Sequence, residues 1–302
     1  MNRFPIDIVI PWVNPDDSEW KESFLYWKQK ETGNNAECRY RDWGFIKYVF
    51  RSIETNCPWC RNVFLLLASP SQIPSWLNVE SPKLRIVYHK DFIPKMFLPT
   101  FNTNVIEIFI SCIKELSNNF ILCNDDTFFC KRMPPEFFFD NDIPVSKYRV
   151  EQLKTPTYNF EYILQNNVNF VNMITNSNGN VYYHPHHLPV SYTKPVQLFI
   201  LSKFFDIIKQ RLHGKFRTDD DISDWAYYDF QCRMGQCKFT DDDRGRSYGI
   251  GKEGIPINMN WPMTNINEGE YSTVTAIQYY IRLCPPKVLL GRSSGLKVPI
   301  AA

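Results

Sequence analysis

The stretch Phe120-Ile121-Leu122-Cys123-Asn124-Asp125-Asp126-Thr127-Phe128-Phe129 predicts both a buried strand and a site at its end. Three apolar residues lead into the polar step Asn124-Asp125-Asp126, and two aromatic residues follow. In an open α/β sheet, ligands bind beyond the carboxyl ends of the strands, so carboxylates at such an end face the substrate. Adjacent carboxylates repel each other, and a bound divalent cation is the usual compensation. The stretch therefore predicts a metal beside a phosphate. The alternative is an ordinary turn, which Asn and Asp also favour.

Strands that alternate with amphipathic helices surround this stretch and predict a mostly parallel sheet flanked by helices. The predicted strands before it cover residues 6–13, 62–68 and 84–89, and the predicted helices cover 18–30, 45–53 and 102–116. Asp42 is expected to cap the second helix. Glu107 lies off the apolar stripe of the third helix, so it is free to reach a site.

The later half of the chain is dominated by a histidine run and by helical patterns. Tyr183-His184-Pro185-His186-His187 packs three histidines into four positions. Helices are predicted from near Thr193, with Pro195 in the first turn, over 223–234, and near 273–283. The Asn-rich segment around residues 165–180 predicts loops or a lid.

Composition narrows the classes of partner. The formal net charge of the 302-residue chain is +2, and no long basic run occurs, so nucleic acid is not an expected partner. The sequence contains no run of eighteen apolar residues and starts without a signal segment. We therefore expect a cytoplasmic protein with at most peripheral membrane contact. Whether it forms a homo-oligomer stays open.

The cysteines leave two interpretations. Their number is nine, which is odd, and without a signal segment this argues against a disulfide framework. Cys57-Pro-Trp-Cys60 has the spacing of a zinc or redox pair, which Cys232 and Cys237 would complete to four ligands. The same loop between a helix and a strand also suits a purely structural role.

The residues provide each part that phosphoryl transfer requires. That chemistry needs a cation to gather charge, a base for the attacking hydroxyl, and arginines for the developing phosphate charge. The candidates are Asp125 and Asp126, the run His184 to His187, and Arg39, Arg41 and Arg217. The histidine run alternatively binds a metal itself or forms a polar turn without a role.

Taken together, these segments resemble the Stealth family of sugar-phosphate transferases. That family includes bacterial capsular polysaccharide phosphotransferases and the catalytic subunit of N-acetylglucosamine-1-phosphotransferase. The resemblance rests on four blocks in the family's order. The first block is Ile6 to Asp16, and the fourth is Asn265 to Glu268. The second block runs from Arg39-Tyr40-Arg41-Asp42 through Gln72-Ile73-Pro74, Leu98 to Asn102 and Ile106-Glu107 to Asn124-Asp125-Asp126. The third block joins His187-Leu188-Pro189 to Phe216-Arg217.

Three positions depart from the family's pattern. Trp43-Gly44 follows Asp42 where the family has polar residues, and Ser69-Pro70-Ser71 replaces a Thr-Asx-Gly step. In the fourth block Asn267-Glu268 stands where the family has an Asn-Asp pair.

The resemblance implies a single Stealth-type domain over 1–302 with a GT-A-like, mostly parallel α/β sheet. Residues 1–130 would form the nucleotide-sugar-binding core, 131–180 a variable insert or lid, and 181–302 the catalytic His/Arg segment with C-terminal helices that complete the site. The reaction it implies moves a sugar 1-phosphate from a UDP-sugar, with N-acetylhexosamine the expected sugar, to a hydroxyl of a glycan acceptor. UMP would leave, and the enzyme would serve capsular or surface polysaccharide synthesis at the inner face of a bacterial membrane.

The resemblance also implies roles for individual residues. Asp125 and Asp126 would hold Mg²⁺ or Mn²⁺, with Asn267 or Glu268 as a further ligand. His187 would be the general base, with a pKa near its ordinary value, and Arg217 would stabilise the phosphate oxygens; Asp126 is also counted as catalytic. The residues expected to bind the nucleotide or substrate are Trp12, Val13, Asn14, Asp16, Arg39, Asp42, Glu107 and Asn124.

Two other functions fit the same residues. One is a metal-dependent GT-A glycosyltransferase, which would release a nucleoside diphosphate. The other is a non-catalytic nucleotide- or glycan-binding protein, which the altered fourth block favours.

Overall fold

The computed structural model describes residues 4–249 and 261–267 of the chain. Its α-helices are α1 (Ser18–Lys28), α2 (Ile46–Asn56), α3 (His89–Phe92), α4 (Thr103–Ile108), α5 (Asn159–Thr175), α6 (Lys194–Arg211) and α7 (Trp225–Arg233). Its strands are β1 (Ile6–Pro11), β2 (Val63–Leu67), β3 (Leu84–Tyr88), β4 (Asn119–Leu122), β5 (Thr127–Phe129), β6 (Phe139–Asp140), β7 (Ile143–Ser146), β8 (Tyr148–Gln152), β9 (Val181–Pro185), β10 (Val190–Thr193), β11 (Lys238–Phe239), β12 (Gly245–Gly249) and β13 (Met263–Asn267).

A five-stranded sheet in the order β10-β4-β1-β2-β3 organises the molecule. The pairs β4-β1, β1-β2 and β2-β3 are parallel, and only β10 runs antiparallel, beside β4. Ile8 lies at the centre, opposite Val63 on one side and Ile121 on the other. The prediction of an α/β fold with a mostly parallel, helix-flanked sheet is confirmed.

Beyond their first residues the central strands β1, β2 and β4 are mainly apolar, as expected for strands with both faces covered. Ile8 and Ile10 point to one face, where they share a hydrophobic core with Phe50 of α2. Val9 points to the other face, where it shares a core with Ile200 of α6 and other residues of α6 and α7. Successive side chains of a strand alternate between faces, so one continuous apolar run supplies both cores.

Asp7 is a fully buried charge at the start of β1. Its carboxylate accepts hydrogen bonds from Arg61, from the amide of Asn62 at 3.1 Å, and from the amide of Ser117 at 2.7 Å. These donors tie three chain segments together at the amino end of the sheet. The charge is therefore part of the scaffold.

A smaller sheet, in the order β12-β13-β5, carries the fourth sequence block to the acidic step. Strand β13 pairs antiparallel with β5, and Asn265 lies opposite Thr127. The amide of Ile266 also donates to the carbonyl oxygen of Asp126 at 3.0 Å. Residues far apart in the sequence therefore meet directly after β4.

The segment 131–180 is more regular than its sequence predicts. Strands β6 to β8 occupy its first part, and residues 159–175 form helix α5 instead of the predicted loops. Apolar residues of α5, among them Ile163, Val168 and Val171, are buried. The asparagines do not prevent the helix, because buried Asn167 donates to Ser223 Oγ at 2.9 Å.

Two helix predictions are wrong in detail. Asp42 does not cap α2; its carboxylate accepts from the amide of Gly44 at 2.8 Å, and α2 begins at Ile46. The helix predicted over 102–116 ends at Ile108 and continues as a 3-10 turn, since β-branched residues crowd this segment and lower its helix propensity. The helix predicted near 273–283 lies outside the described residues.

The two cysteine pairs do not meet. Cys57 and Cys60 belong to the core on one face of the sheet, and Cys232 and Cys237 belong to the core on the other. The four-cysteine zinc site is therefore wrong, and the structural role stands. Within residues 4–249 and 261–267, no helix has the length and apolar character to cross a membrane.

Candidate active site

A cavity of about 610 Å³ opens at the carboxyl ends of β1 and β4. This is the size of a pocket for a small organic ligand. Pro11 and Leu122, the last residues of those strands, lie in its wall. The cavity brings together these predicted site residues: Trp12, Val13, Arg39, Glu107, Asn124, Asp125, Asp126, His187 and Arg217.

Asp125 and Asp126 follow β4 directly and crowd negative charge into the cavity wall. Asp126 accepts from Asn265 Nδ2 at 2.6 Å and from Thr127 Oγ1 at 3.3 Å. Burial raises the pKa of Asp126 to about 6. Burial, followed by repulsion from Asp126 and Asp42, raises the pKa of Asp125 well above its ordinary value. The protein alone provides too little positive charge near this step to balance two ionised carboxylates.

His187 reaches the acidic step because of how β10 pairs. The connection from β9 to β10 contains His187, and Val190, the first residue of β10, lies opposite Leu122 at the end of β4. Asn124 Nδ2 lies 3.4 Å from His187 Nε2. An amide nitrogen only donates, so this contact requires the neutral imidazole. Burial lowers the pKa of His187 below the near-ordinary value that we expected, which also favours the neutral form.

Arg39 and Arg217 place two guanidinium groups in the same wall. The backbone connects their segments, since the amide of Asn34 donates to the carbonyl oxygen of Arg217 at 2.7 Å. Within residues 4–249 and 261–267 neither side chain has an ion pair or hydrogen-bond partner, and Nε of Arg217 is buried. Burial and the charge of Arg217 lower the pKa of Arg39. Two neighbouring guanidinium groups that form no ion pair within the described residues suit the binding of an anion.

Glu107 and Asp224 form a buried pair of carboxyl groups in the cavity wall. Burial, followed by repulsion from Asp224, raises the pKa of Glu107 well above its ordinary value. The two side chains are hydrogen-bonded to each other, and Arg217 attracts the charge of both. The sequence reasoning missed Asp224. Its only local signal is the Ser223-Asp224 step before α7, which is typical of a helix start.

Several predicted residues lie outside the cavity wall. Asn14 and Asp16 form the turn after β1, where the amide of Asp16 donates to Asn14 Oδ1 at 3.0 Å. Asp42 lies behind the wall, close enough to raise the pKa of Asp125. Asn267 ends β13, where it pairs with Gly249, and Glu268 lies outside the described residues. Among the described residues of that block, Asn265 is the one whose side chain contacts the carboxylate of Asp126.

The other two histidines of the run have different surroundings. His184 is buried against Trp225, with ring centroids 4.5 Å apart, and its Nδ1 lies 3.0 Å from Arg149 Nη2. Its pKa is lowered to about 4, mainly by burial. His186 lines the cavity beside His187. No group of three His, Cys, Asp or Glu side chains suited to a metal occurs in the described parts of the chain.

The acidic step nevertheless fits a magnesium-type ion. Proteins bind Mg²⁺ through one or two carboxylates together with substrate phosphates, and do not require a complete protein cage. Asp125 and Asp126 supply two carboxylates, and burial raises the pKa of both, so a cation at this step would stabilise their ionised forms. The unpaired Arg39 and Arg217 in the same cavity suit the phosphates that would supply the remaining ligands.

Comparisons with known proteins show which proteins the chain is similar to. The family model described as "Stealth protein CR2, conserved region 2" matches residues 39–147. A capsular polysaccharide phosphotransferase WcwK of Streptococcus pneumoniae is 31% identical over 303 residues, covering 90% of this chain and 88% of the relative. An exopolysaccharide phosphotransferase cps2G of Lactiplantibacillus plantarum is 28% identical, covering 90% and 86%. A solved galactosyltransferase LgtC with donor and acceptor sugar analogs matches at 9% identity over 92% of this chain and 95% of that chain, with a TM-score of 0.45.

Proposed function

The chain belongs to the Stealth protein family, and from this we propose that it is a sugar-phosphate transferase of capsular or surface polysaccharide synthesis. It moves an N-acetylhexosamine 1-phosphate from a UDP-sugar to a hydroxyl of a glycan acceptor. The names of the relatives, capsular and exopolysaccharide phosphotransferases, support the reaction class. The donor, the sugar and the release of UMP are part of the proposal.

One observation carries the proposal. Two unpaired guanidinium groups and two crowded carboxylates line one cavity, and a neutral imidazole lies beside them. A diphosphate with a divalent cation satisfies both sets of charge at once. The arginines bind phosphate oxygens, and the carboxylates bind the cation.

The reaction leaves the sugar's anomeric C–O bond intact. An acceptor oxygen attacks the phosphorus that carries the sugar, a new O–P bond forms, and the bridging P–O bond to the other phosphate breaks. UMP leaves with the bridging oxygen. The acceptor hydroxyl takes the place of Asn124 Nδ2 at Nε2 of His187, and its proton passes to that nitrogen of the neutral imidazole.

Arginine and acidic side chains hold the charge that shifts during transfer. Arg217 binds the oxygens of the transferred phosphate, where its planar guanidinium group offers two parallel donors. Arg39 binds the donor next to it. Asp125 and Asp126 would hold Mg²⁺ or Mn²⁺, which supplies positive charge to the diphosphate, and Asn267 or Glu268 is a further candidate ligand.

The nucleoside binds at the end of β1. Trp12 and Val13 contact it from the cavity wall, and Asn14 and Asp16 shape the turn that positions them. Asn124 orients His187. Asp42 lies outside the cavity wall but close enough to Asp125 to repel its charge, and we propose that it braces the donor site together with Arg39.

Mass spectrometry of the products tests the reaction. The purified protein is incubated with a panel of UDP-sugars, glycan acceptors, and Mg²⁺ or Mn²⁺. We expect UMP together with an acceptor whose mass rises by one sugar phosphate. Release of UDP with transfer of the sugar alone would show a glycosyltransferase instead.

A pair of histidine variants checks the base. His187→Ala should reduce UMP release by about a hundredfold or more, the usual scale for general base catalysis. His213→Ala is the matched control, because His213 is exposed and lies outside the cavity wall. Equal rates for the two variants would remove His187 from the mechanism.

A further inference from the structure

The Arg217 loop, residues 215–221, places an arginine next to a run of acidic residues. Arg217 is separated by a single residue from Asp219, Asp220 and Asp221. Opposite charges so close in the sequence readily pair, and such a pair would take the guanidinium group away from a phosphate. In the described part of the chain, Arg217 lies in the cavity wall and forms no ion pair. The acidic residues are held by other partners.

The first two acidic residues of the run lie at the surface. Asp219 and Asp220 are both exposed, and both lie outside the cavity wall. Oδ1 of Asp219 accepts from Asn159 Nδ2 at 2.7 Å, which ties it to the start of α5. Neither residue therefore competes with a phosphate for Arg217.

Asp221 is fully buried and is held by three side-chain donors. Its Oδ2 accepts from Asn102 Nδ2 at 2.6 Å and from Asn104 Nδ2 at 2.9 Å. Its Oδ1 accepts from Thr218 Oγ1 at 2.8 Å. An ionised carboxylate only accepts, so three donors suit its charged form. Because both oxygens of Asp221 are engaged in this way, the carboxylate leaves Arg217 free.

The same contacts fasten the Arg217 loop to the start of α4. Asn102 Oδ1 accepts from the amide of Asn104 at 3.0 Å, so the residue that caps α4 also binds Asp221. Asn102 Nδ2 lies 3.4 Å from the carbonyl oxygen of Phe216, the residue before Arg217. One asparagine therefore contacts the loop on both sides of Arg217.

Two further contacts fix the amino side of the loop. Phe216 is fully buried, and its ring stacks on that of Phe101 with centroids 5.4 Å apart. The amide of Asn34 donates to the carbonyl oxygen of Arg217 at 2.7 Å. On the carboxyl side, the Asp221 carboxylate is the group that reaches the start of α4. Its removal should therefore release that side of the loop.

We propose that Asp221 is a positioning residue for Arg217: its carboxylate fixes the Arg217 loop on the start of α4 and thereby holds the guanidinium group in the cavity, free to bind phosphate. The inference rests on the proposed function, in which Arg217 binds the transferred phosphate. Asp221 itself lies outside the cavity wall, so it acts through Arg217. Donors that are fixed in place before the reaction stabilise charge that develops during it.

Calorimetric titration with UDP and Mn²⁺ measures this role without requiring transfer of a sugar phosphate. Asp221→Ala should weaken UDP binding about tenfold, the scale for one charge-assisted hydrogen bond to phosphate. Asp221→Asn keeps an oxygen for the two asparagines and an amide group that can donate to Thr218. We therefore expect its affinity to lie within about threefold of wild type. Unchanged affinity in Asp221→Ala would overturn the proposal.

A double-mutant cycle with Arg217→Met separates positioning from general support of the fold. If Asp221 acts through Arg217, adding Asp221→Ala to Arg217→Met should change UDP affinity by less than about twofold. A role in the stability of the cavity as a whole predicts the same tenfold loss in both backgrounds. That result would overturn the proposal.

A pair of threonine variants repeats the test with a milder change. Thr218→Val removes one donor to Asp221 and should weaken UDP binding about threefold, but only while Arg217 is present. Thr157→Val is the matched control, because Thr157 Oγ1 donates to Glu161 Oε2 at 2.7 Å outside the cavity wall. Equal losses in the two variants, or a loss that persists in Arg217→Met, would overturn the proposal even if Asp221→Ala does not fold.

Crystal structures of Asp221→Ala and Thr218→Val with UDP and Mn²⁺ test the geometry directly. In Asp221→Ala the guanidinium group of Arg217 should move from its wild-type place by about 1 Å or more. An unmoved Arg217 would overturn the positioning role, whatever the protein transfers. If the cycle and the structures behave as expected but no sugar phosphate is transferred, the proposed function fails and the positioning role stands.

Discussion

The two ends of the central sheet treat buried charge in opposite ways. At the amino end, Asp7 accepts hydrogen bonds from Arg61 and from two backbone amides, so its charge is fully compensated. At the carboxyl ends, Asp125 and Asp126 repel each other, and the buried Nε of Arg217 has no hydrogen-bond partner within the described residues. Buried polar groups in native proteins are normally paired, and each exception requires an explanation. Asp125, Asp126 and Arg217 face one cavity, at the end of the sheet where we propose that the ligand binds.

The comparison indicates that a charged residue contributes to stability at the amino end of the sheet and to function at the carboxyl ends. A charge whose partners lie within the protein stabilises the fold, whereas a charge that lacks them lowers stability until a ligand arrives. Proteins accept such local costs mainly at functional sites. Substitutions at the two ends should therefore have effects of opposite kind, and the following measurements examine that difference.

The largest effect is expected for Asp126→Asn. It removes a charge from the acidic step, so kcat/KM should fall about a thousandfold, equivalent to roughly 4 kcal/mol of transition-state stabilisation. The free energy of unfolding should stay the same or rise, since the repulsion from Asp125 is relieved. Asp206→Asn, at an exposed position of α6, is the control for the substitution itself. A stable variant with full activity would contradict the comparison.

Asp7→Ala should have the opposite effect, a loss of stability without a loss of donor binding. The amides of Asn62 and Ser117 lose their acceptor and Arg61 loses its partner, so the free energy of unfolding should fall by about 3 kcal/mol. Denaturant unfolding measures the change. At a temperature where the variant remains folded, KM for the donor should match that of wild type. A large rise in KM would show that the two ends are not independent.

Substitution of Arg217 tests the same comparison with a positively charged residue of the cavity. Arg217→Met should reduce kcat/KM about a hundredfold, the scale for removal of one donor to a phosphate or oxyanion. The same change removes both the repulsion between Arg217 and Arg39 and the attraction between Arg217 and Asp224, so the free energy of unfolding should change less than it does in Asp7→Ala. Arg217→Lys should recover only part of the activity, because a single ammonium group cannot offer two parallel donors. Full recovery by Lys would rule out bidentate phosphate binding.

The smallest effect is a dependence of stability on pH. The pKa of Asp126 is about 6 in the folded protein and near its ordinary value of 3.8 when unfolded, so the folded state binds the proton more tightly. Its stabilising contribution is present below the ordinary value and is lost as the pH rises through about 6. Without divalent cations, the wild-type free energy of unfolding should therefore fall across this interval relative to that of Asp126→Asn. A constant difference between the two proteins would contradict the assigned pKa.

The sequence was sufficient for the sheet but not for every element. Continuous apolar runs such as the one that became β2 identify strands buried on both faces, and their alternation with helices indicates parallel pairing. Helix α5 was missed because its many asparagines are typical of loops. The helical pattern lies in the buried apolar residues between them, such as Ile163 and Val168. The start of α2 was misplaced because Asp42 accepts from the amide of Gly44 and does not cap the helix, and the early end of α4 was missed although β-branched residues follow it.

The sequence likewise predicted some residues of the candidate site and missed others. His187, Arg217 and the acidic step were selected from their residue types and from a family resemblance, and the structure brings them into one cavity. Asp224 and Asn265 were not assigned roles, because their importance comes from partners that only the fold supplies. Asn265 reaches Asp126 through the pairing of β13 with β5. Asp224 reaches Glu107 because α7 packs beside the cavity.

The most direct test of the central claim is a crystal structure with Mn²⁺ and UDP bound. We predict an anomalous-scattering peak at coordination distance from the carboxylates of Asp125 and Asp126, with the diphosphate between that peak and the guanidinium groups of Arg39 and Arg217. His187 should lie on the open side of the terminal phosphate. A manganese peak away from the acidic step, or a diphosphate that leaves both arginines unpaired, would contradict the account.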